Sequence, residues 1–218
     1  MNTKENVKRN ISIILYILLS ICSFALILII PSSREIFKTL SGEHPFIMGF
    51  VKFALLATAG ELIAVRIAKK RWALPAKIVC RFIIWGFIGV WITFMMKVFS
   101  GAVSSITASG LIYGKDSAFL KALYTSVIMN TSFGPTFMAV HKCTDMYLEL
   151  KSAGKPCKIG DVIKNVDWTK FVTFTIFKTV PLFWIPAHTV TFMLPSEYQV
   201  IMAASLSVAL GIILSIKK

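Results

Sequence analysis

The chain has 218 residues, of which 56% are hydrophobic and 16% are charged, and its mean hydropathy is +0.74. A soluble domain usually carries about 25% charged residues, so this composition excludes an ordinary water-soluble protein and predicts an integral membrane protein. The net charge of +14 raises nucleic-acid binding as an alternative. The positions of the basic residues along the chain decide between the two.

The apolar runs lack the two-residue alternation of outer-membrane strands, so they predict helices. The first run, 11–30, follows a basic start that contains Lys8 and Arg9. It is about twice as long as the core of a signal peptide, and "IIPSSR" is a poor cleavage site, so we expect a retained span. The segment 31–45 that follows is polar and is predicted to be a loop or a surface helix.

Five further runs approach the roughly 20 residues that a helix needs to cross a bilayer. They cover about 46–68, 79–99, 119–140, 171–194 and 199–216. Residues 100–118 are rich in small side chains and are ambiguous between a loop and a membrane-edge segment. The sequence therefore predicts an all-α, polytopic transmembrane bundle of about six spans, forming one integral membrane domain over residues 1–218.

The basic residues are distributed unevenly between the two sides that this topology defines. If the N-terminus is inside, both termini, the 69–81 loop and the 142–170 stretch share the cytoplasmic side. With Arg66 at the interface, that side holds 17 of the 24 lysines and arginines, including Lys217 and Lys218, against five on the opposite side. This bias predicts cytoplasmic N- and C-termini, and it explains the net charge without nucleic acid. The inner lysines favour the anionic lipids of the inner leaflet as partners.

Two charged residues lie within the second predicted span. A charge at mid-bilayer costs roughly 2.5–3.5 kcal/mol, so it normally faces protein or water. Lys52 is close to the outer edge, so its ammonium can reach the interface, and a buried or pore-lining position is the alternative. Glu61 is deeper and shares a helix face with Gly60 and other small residues, which predicts close packing against a neighbouring helix.

Glu61 therefore needs a partner from elsewhere in the chain, and Lys178, Arg81 and Arg66 are the candidates. A structural ion pair and a pore-lining charge are both open. In the second case Glu61 and Lys178 would face a central cavity.

Prolines and polar residues interrupt the fourth and fifth predicted spans. The fourth contains "NTSFGPTF", in which Asn130 is a candidate for a pore-lining or buried polar group and Pro135 for a helix kink. The fifth contains Lys178, another pore or buried polar candidate, and His188, together with the kink and scaffold candidates Pro181, Trp184 and Pro186. Broken helices are tolerated where they are buried or line a cavity, and a kink that serves packing is the alternative. His188 lies near the outer end and is expected to be a plain interfacial histidine.

The sequence carries no motif of a known catalytic site, and we expect no enzyme activity and no cofactor. His141, Cys143 and Cys157 fall in the same predicted loop, but a fourth ligand is missing and the spacing matches no familiar zinc pattern. No metal site is therefore expected.

Several short motifs occur in order over about residues 44–216, namely His44–Pro45, Gly60–Glu61, Arg81, Gly86, Gly89, Phe133, Pro135, Phe137 and "WIPAHTVTFMLPSEYQ". In this order they resemble the family of the 22 kDa peroxisomal membrane protein and its mitochondrial inner-membrane relative, Mpv-seventeen. The chain would be a divergent member, because Met129, Asn130, Thr191 and Gln199 replace polar residues that the family prefers. The first span and the 100–115 segment are additional.

The resemblance implies a small polytopic protein proposed to form a channel for small solutes. The favoured function is a channel or transporter-like conduit for an unidentified small solute, with a homo-oligomer as a possible form. The alternative is a non-transporting membrane organiser that binds lipid or a partner protein through the basic stretch 142–170. Nothing in the sequence resembles a mitochondrial transit peptide, so a bacterial cytoplasmic membrane is the expected location.

Overall fold

The computed structural model describes residues 3–216, and every regular element in that range is a helix. In chain order the elements are α1 (Thr3–Ile29), α2 (Pro31–Glu43), α3 (Pro45–Lys69), α4 (Ile78–Ala108), α5 (Ala118–Ser152), α6 (Ile159–Asn165), α7 (Trp168–Lys170), a π-helix (Phe171–Trp184), α8 (Ile185–Met193) and α9 (Ser196–Ile216).

Prolines set several of the helix boundaries. Ile30 is extended, with ψ 120°, because the ring of Pro31 disfavours helical backbone in the preceding residue. Pro31 can begin α2 without losing a hydrogen bond, because the first N–H of a helix has no partner inside that helix. His44, with ψ 54°, is also non-helical, and Pro45 begins α3 after it. Leu194, with ψ 156°, ends α8 in the same way, ahead of another proline.

Three of the described helices are long and apolar enough to cross a membrane. They are Glu5–Ile29 within α1, Pro45–Lys69 in α3 and Ile78–Ala108 in α4. The chain is thus an all-helical protein with the helices of a membrane protein, as the composition indicates. The fourth, fifth and sixth expected spans correspond to α5, to the π-helix with α8, and to α9, and they stay predictions. Lys217 and Lys218, counted above on the cytoplasmic side, lie outside the described residues.

The chain divides into two compact units. Unit 1 contains the residues up to Phe94 together with those from Ser196 onward, and unit 2 contains Met95–Pro195. Unit 1 therefore holds α1, α2, α3, the first part of α4, and α9. Unit 2 holds the rest of α4 and everything from α5 to α8.

Close contacts between small residues organise unit 1 around α3. A Cβ atom on Gly89 of α4 would overlap the carbonyl oxygen of Gly49 in α3. A Cβ atom on Gly60 would lie 2.9 Å from the Cα of Val208 in α9. Glycines permit this approach of helix backbones, which contributes dispersion energy where lipid removes the hydrophobic driving force. The small-residue face expected beside Glu61 therefore packs against α9.

Several helices extend beyond the apolar runs from which they were predicted. The 31–45 segment, expected to be a loop or a surface helix, is a helix over most of its length. Helix α4 continues through half of the ambiguous segment and stops before Gly110, whose φ of +80° ends the helical path. Helix α5 begins where the Ser117 hydroxyl accepts a 3.2 Å hydrogen bond from the Leu120 amide, and it runs on into the basic stretch.

Candidate functional site

The junction between the π-helix and α8 is the main irregularity of unit 2. At this junction the amide of Ile185 donates to the carbonyl of Val180, five residues earlier. Pro181 and Pro186 have no amide hydrogen, so they leave nearby carbonyls without their usual donors. Such five-residue pairing is rare in proteins and often occurs at functional positions. The sequence predicted an interruption here, but not this helix type.

A chain of hydrogen bonds connects α5 to this junction. The Nδ2 of Asn130 donates to the carbonyl of Ser126 at 2.8 Å and approaches its hydroxyl at 3.3 Å. The hydroxyl of Ser126 donates to the carbonyl of Ile185 at 2.7 Å. The hydroxyl of Thr189 donates to the same carbonyl at 2.8 Å. Two side chains thus bind the backbone where the helix type changes.

His188 completes this chain, and its imidazole is buried. Its Nδ1 lies 3.0 Å from Oδ1 of Asn130. Because the amide nitrogen of Asn130 is bound to Ser126, the amide oxygen is the atom that faces the ring, and Nδ1 carries the proton. The Nε2 atom is then an acceptor, as expected of a neutral imidazole with one donor and one acceptor. This corrects the expectation of a plain interfacial histidine.

Trp184 lies beside His188, with their ring centroids 5.1 Å apart. Its indole Nε1 is buried and has no hydrogen-bond acceptor among the described residues. The two rings therefore offer one donor and one acceptor that the described part of the chain does not bind. This pair can bind a small polar molecule through complementary groups.

Pro135 lies inside α5, and the helix continues through it. The hydroxyl of Thr131 donates to the carbonyl of Val127 at 2.8 Å, and Ser132 bonds to the carbonyl of Ile128. Hydroxyls that bond back to the preceding turn are typical of bent or interrupted helices.

Glu61 forms the principal charged contact of unit 1. Its Oε1 lies 2.7 Å from Nη1 of Arg81, and its Oε2 accepts a 3.2 Å hydrogen bond from the indole of Trp85. The carboxylate is largely buried, and the side chain of Arg81 is 7% exposed. Of the three partners considered from sequence, the structure pairs Glu61 with Arg81. This arrangement fits the structural alternative for Glu61.

Lys52 is buried inside unit 1 and is only 2% exposed. Its Nζ donates to the hydroxyl of Ser41 at 2.8 Å and to the carbonyl of Glu197 at 3.3 Å. It also lies 4.4 Å from the centroid of the Phe37 ring, a favourable cation–π distance. Groups from α2 and α9 thus bind the ammonium inside unit 1, which fits the buried alternative for Lys52, while its depth in a membrane stays a prediction.

Lys178 is exposed on the π-helix of unit 2.

Sequence reasoning did not identify the hydrogen-bond partners of the candidate residues and of the helix junction, which are Ser126, Ser41, Glu197 and Trp85. Only Ser126 carried a usable signal, since it precedes Asn130 by four residues and so shares its helix face.

The described residues offer no group of three histidine, cysteine or acidic side chains placed to hold a metal ion. The four cysteines are not paired with one another in disulfides. The absence of a metal site and of an enzyme activity stay predictions.

Comparisons of the chain with protein-family models, with curated proteins and with solved structures find no match. The resemblance to the peroxisomal membrane protein family therefore rests on the order of the short motifs alone.

Proposed function

We propose that this chain is a multi-pass membrane protein that provides a conduit for a small polar solute, with the junction between the π-helix and α8 as its selective element. The observation that carries the proposal is the buried, unpaired Nε1 of Trp184 next to the imidazole of His188, beside a hydrogen-bonded helix break. Transporters use interrupted helices in this way, because the break presents polar groups within the membrane.

The hydrogen bonds around Trp184 and His188 would determine which solutes these two rings bind. Asn130 fixes the tautomer and angle of the imidazole, and Ser126 fixes the backbone of the break. A solute that accepts from the indole and donates to Nε2 fits both groups. A solute that cannot accept from the indole leaves the buried Nε1 of Trp184 unpaired, at a cost of about 1–3 kcal/mol.

The proposal retains six spans with both termini in the cytoplasm, in a bacterial cytoplasmic membrane. The charge bias between the loops supports that orientation. It also retains membership of the peroxisomal membrane protein family, supported by the ordered motifs, with a possible homo-oligomer. Lys178 keeps its place as a candidate on the path because it is exposed, whereas the contacts of Glu61 favour a structural role.

The test is solute flux into proteoliposomes, followed by stopped-flow light scattering under gradients of urea and of glycerol. We expect the wild-type protein to admit at least one of them faster than empty vesicles do. Asn130→Leu, which removes the group that orients the imidazole, is expected to slow that flux about tenfold. Thr131→Val is the matched control, because this neighbouring side chain is exposed and lies outside the hydrogen-bond chain to α8.

The alternative is a membrane organiser that moves no solute. All six lysines of the basic stretch are exposed, which favours it: Lys142, Lys151, Lys155, Lys158, Lys164 and Lys170. Wild-type flux equal to that of empty vesicles, together with retained binding to anionic liposomes, would refute the conduit and support the organiser.

A further inference from the structure

An apolar groove with a cationic end lies within unit 1, whereas the junction described above belongs to unit 2. It has a volume of about 300 Å³ and is lined by side chains of α1, of α3 and of the segment 74–82. Ile13 and Leu62, both 3% exposed, are buried in its wall. Leu74 and Val79 line it as well and are 45% and 69% exposed, so they leave apolar surface open at its edge.

Arg9 lines the same groove and supplies its charge. One guanidinium nitrogen, Nη2, donates to the neutral amide of Asn6 at 2.8 Å. The Nε atom is buried and has no hydrogen-bond partner among the described residues. The nearby hydroxyl of Ser12 is already bound to the carbonyl of Lys8. The hydroxyl of Thr58 also lines the groove without a hydrogen-bond partner in the described part of the chain, but the guanidinium is the charged group with an unused donor, and its planar set of N–H groups suits a phosphate.

The depth of Arg9 along α1 places these donors at a membrane surface. Arg9 precedes Ile29, the last residue of α1, by twenty positions, and each helical residue rises about 1.5 Å. The resulting distance of about 30 Å equals the thickness of a hydrocarbon core. If α1 spans the bilayer, Arg9 lies at the level of the lipid headgroups. Ile13 and Tyr16 lie one and two turns deeper, at the level of the acyl chains.

The surrounding chain adds positive charge at the same end. The segment 69–77, which leads to this wall of the groove, contains four basic residues and no acidic residue: Lys69, Lys70, Arg71 and Lys77. Arg66 lies 5.5 Å from the ring centroid of Trp72, and Trp72 packs against the apolar cluster that contains Ile13 and Leu62. The charge of this region is complementary to an anion.

We infer that this groove binds one anionic phospholipid, with its phosphate at Arg9 and an acyl chain along the apolar wall of Ile13, Leu62 and Val79. The occupant is a lipid because the groove combines unused phosphate donors with an apolar wall at matching membrane depths. The site is distinct from the basic stretch 142–170. It depends on α1 spanning the membrane and not on the conduit, so a lipid-binding measurement and the flux measurement fail independently.

The test is native mass spectrometry of the full-length, delipidated protein, titrated with dioleoyl phosphatidylglycerol or with dioleoyl phosphatidylcholine. We expect the first phosphatidylglycerol to bind more tightly than phosphatidylcholine. Arg9→Gln should weaken the binding of phosphatidylglycerol about fivefold, the effect of one basic residue on an anionic lipid. Arg9→Lys, which keeps the charge, should retain most of the preference.

Two further variants locate the site. Val79→Trp fills the groove from an exposed position and should weaken phosphatidylglycerol binding, whereas Val190→Trp, at another exposed valine, should not. Lys155→Gln removes a charge from the basic stretch and should have no effect. Equal binding of the two lipids by the wild type would overturn the inference. So would a loss of preference in Lys155→Gln that matches or exceeds the loss in Arg9→Gln.

Discussion

The contact between α3 and α4 in unit 1 gives a sharp mutational test of the helix packing. A Cβ atom on Gly89 would overlap the carbonyl oxygen of Gly49 and would lie 2.6 Å from the Cβ of Phe53. Neither obstacle is the flexible end of a side chain, so Gly89→Ala forces the two helices apart. Gly101 lies on the same helix, and a Cβ atom added there would have no neighbouring atom within 4 Å among the described residues.

The expected magnitude combines two opposing effects. Overfilling a packed contact costs about 1–3 kcal/mol, and the upper end applies because the backbone must move. Alanine recovers about 1 kcal/mol relative to glycine within a helix. Gly89→Ala should therefore lower the free energy of unfolding by about 2 kcal/mol, while Gly101→Ala should leave it unchanged or raise it by up to about 1 kcal/mol.

Thermal unfolding of the purified protein in detergent, followed by tryptophan fluorescence, measures both variants. For a chain of this length a loss of about 2 kcal/mol corresponds to a decrease in Tm of about 4–8 °C. The Tm of Gly101→Ala should equal or exceed that of the wild type. If both variants unfold at the same temperature, the close approach at Gly89 is refuted.

The remaining predictions concern the buried charges and the topology. Arg81→Met should destabilise the protein by about 3 kcal/mol, because it leaves the Glu61 carboxylate without its cation. Adding Glu61→Gln should recover part of this loss. If the two substitutions have additive effects in a double-mutant cycle, the pairing is contradicted. Lys52→Met should leave the Tm unchanged or raise it, since an apolar side chain of similar volume removes a buried charge, and a large decrease would contradict this. A variant that keeps only Cys157 should react with a membrane-impermeant maleimide only after cells are permeabilised, and labelling of intact cells would refute the cytoplasmic position of the basic stretch.

Local hydrophobicity was sufficient to predict the helices that are apolar over a membrane-spanning length. The predicted runs 11–30, 46–68 and 79–99 fall within or close to α1, α3 and α4. Their ends were less predictable, because a helix can continue where apolar character stops. Helix α5 runs about three turns beyond the predicted end at 140, through residues that are polar but compatible with a helix.

The partners of the polar residues were not predictable in the same way. Lys52 was interpreted from its position along one helix, but its hydrogen-bond acceptors come from α2 and from the start of α9, 145 residues away in the case of Glu197. His188 finds Asn130 across 58 residues. Sequence alone gives the need for a partner and a set of candidates, as for Glu61. The choice among them depends on how the helices pack.

The change of helix type at Ile185 has a consequence for how α8 is oriented about its own axis. Backbone hydrogen bonds between residues five apart wind a helix by a different angle per residue from bonds between residues four apart. A change of hydrogen-bond pattern within Phe171–Trp184 would therefore rotate every side chain of α8 about the helix axis. The bond from Ser126 to the carbonyl of Ile185 and the bond from His188 to the amide oxygen of Asn130 together fix that orientation. Only one hydrogen-bond pattern in the preceding helix is therefore compatible with a buried imidazole at His188.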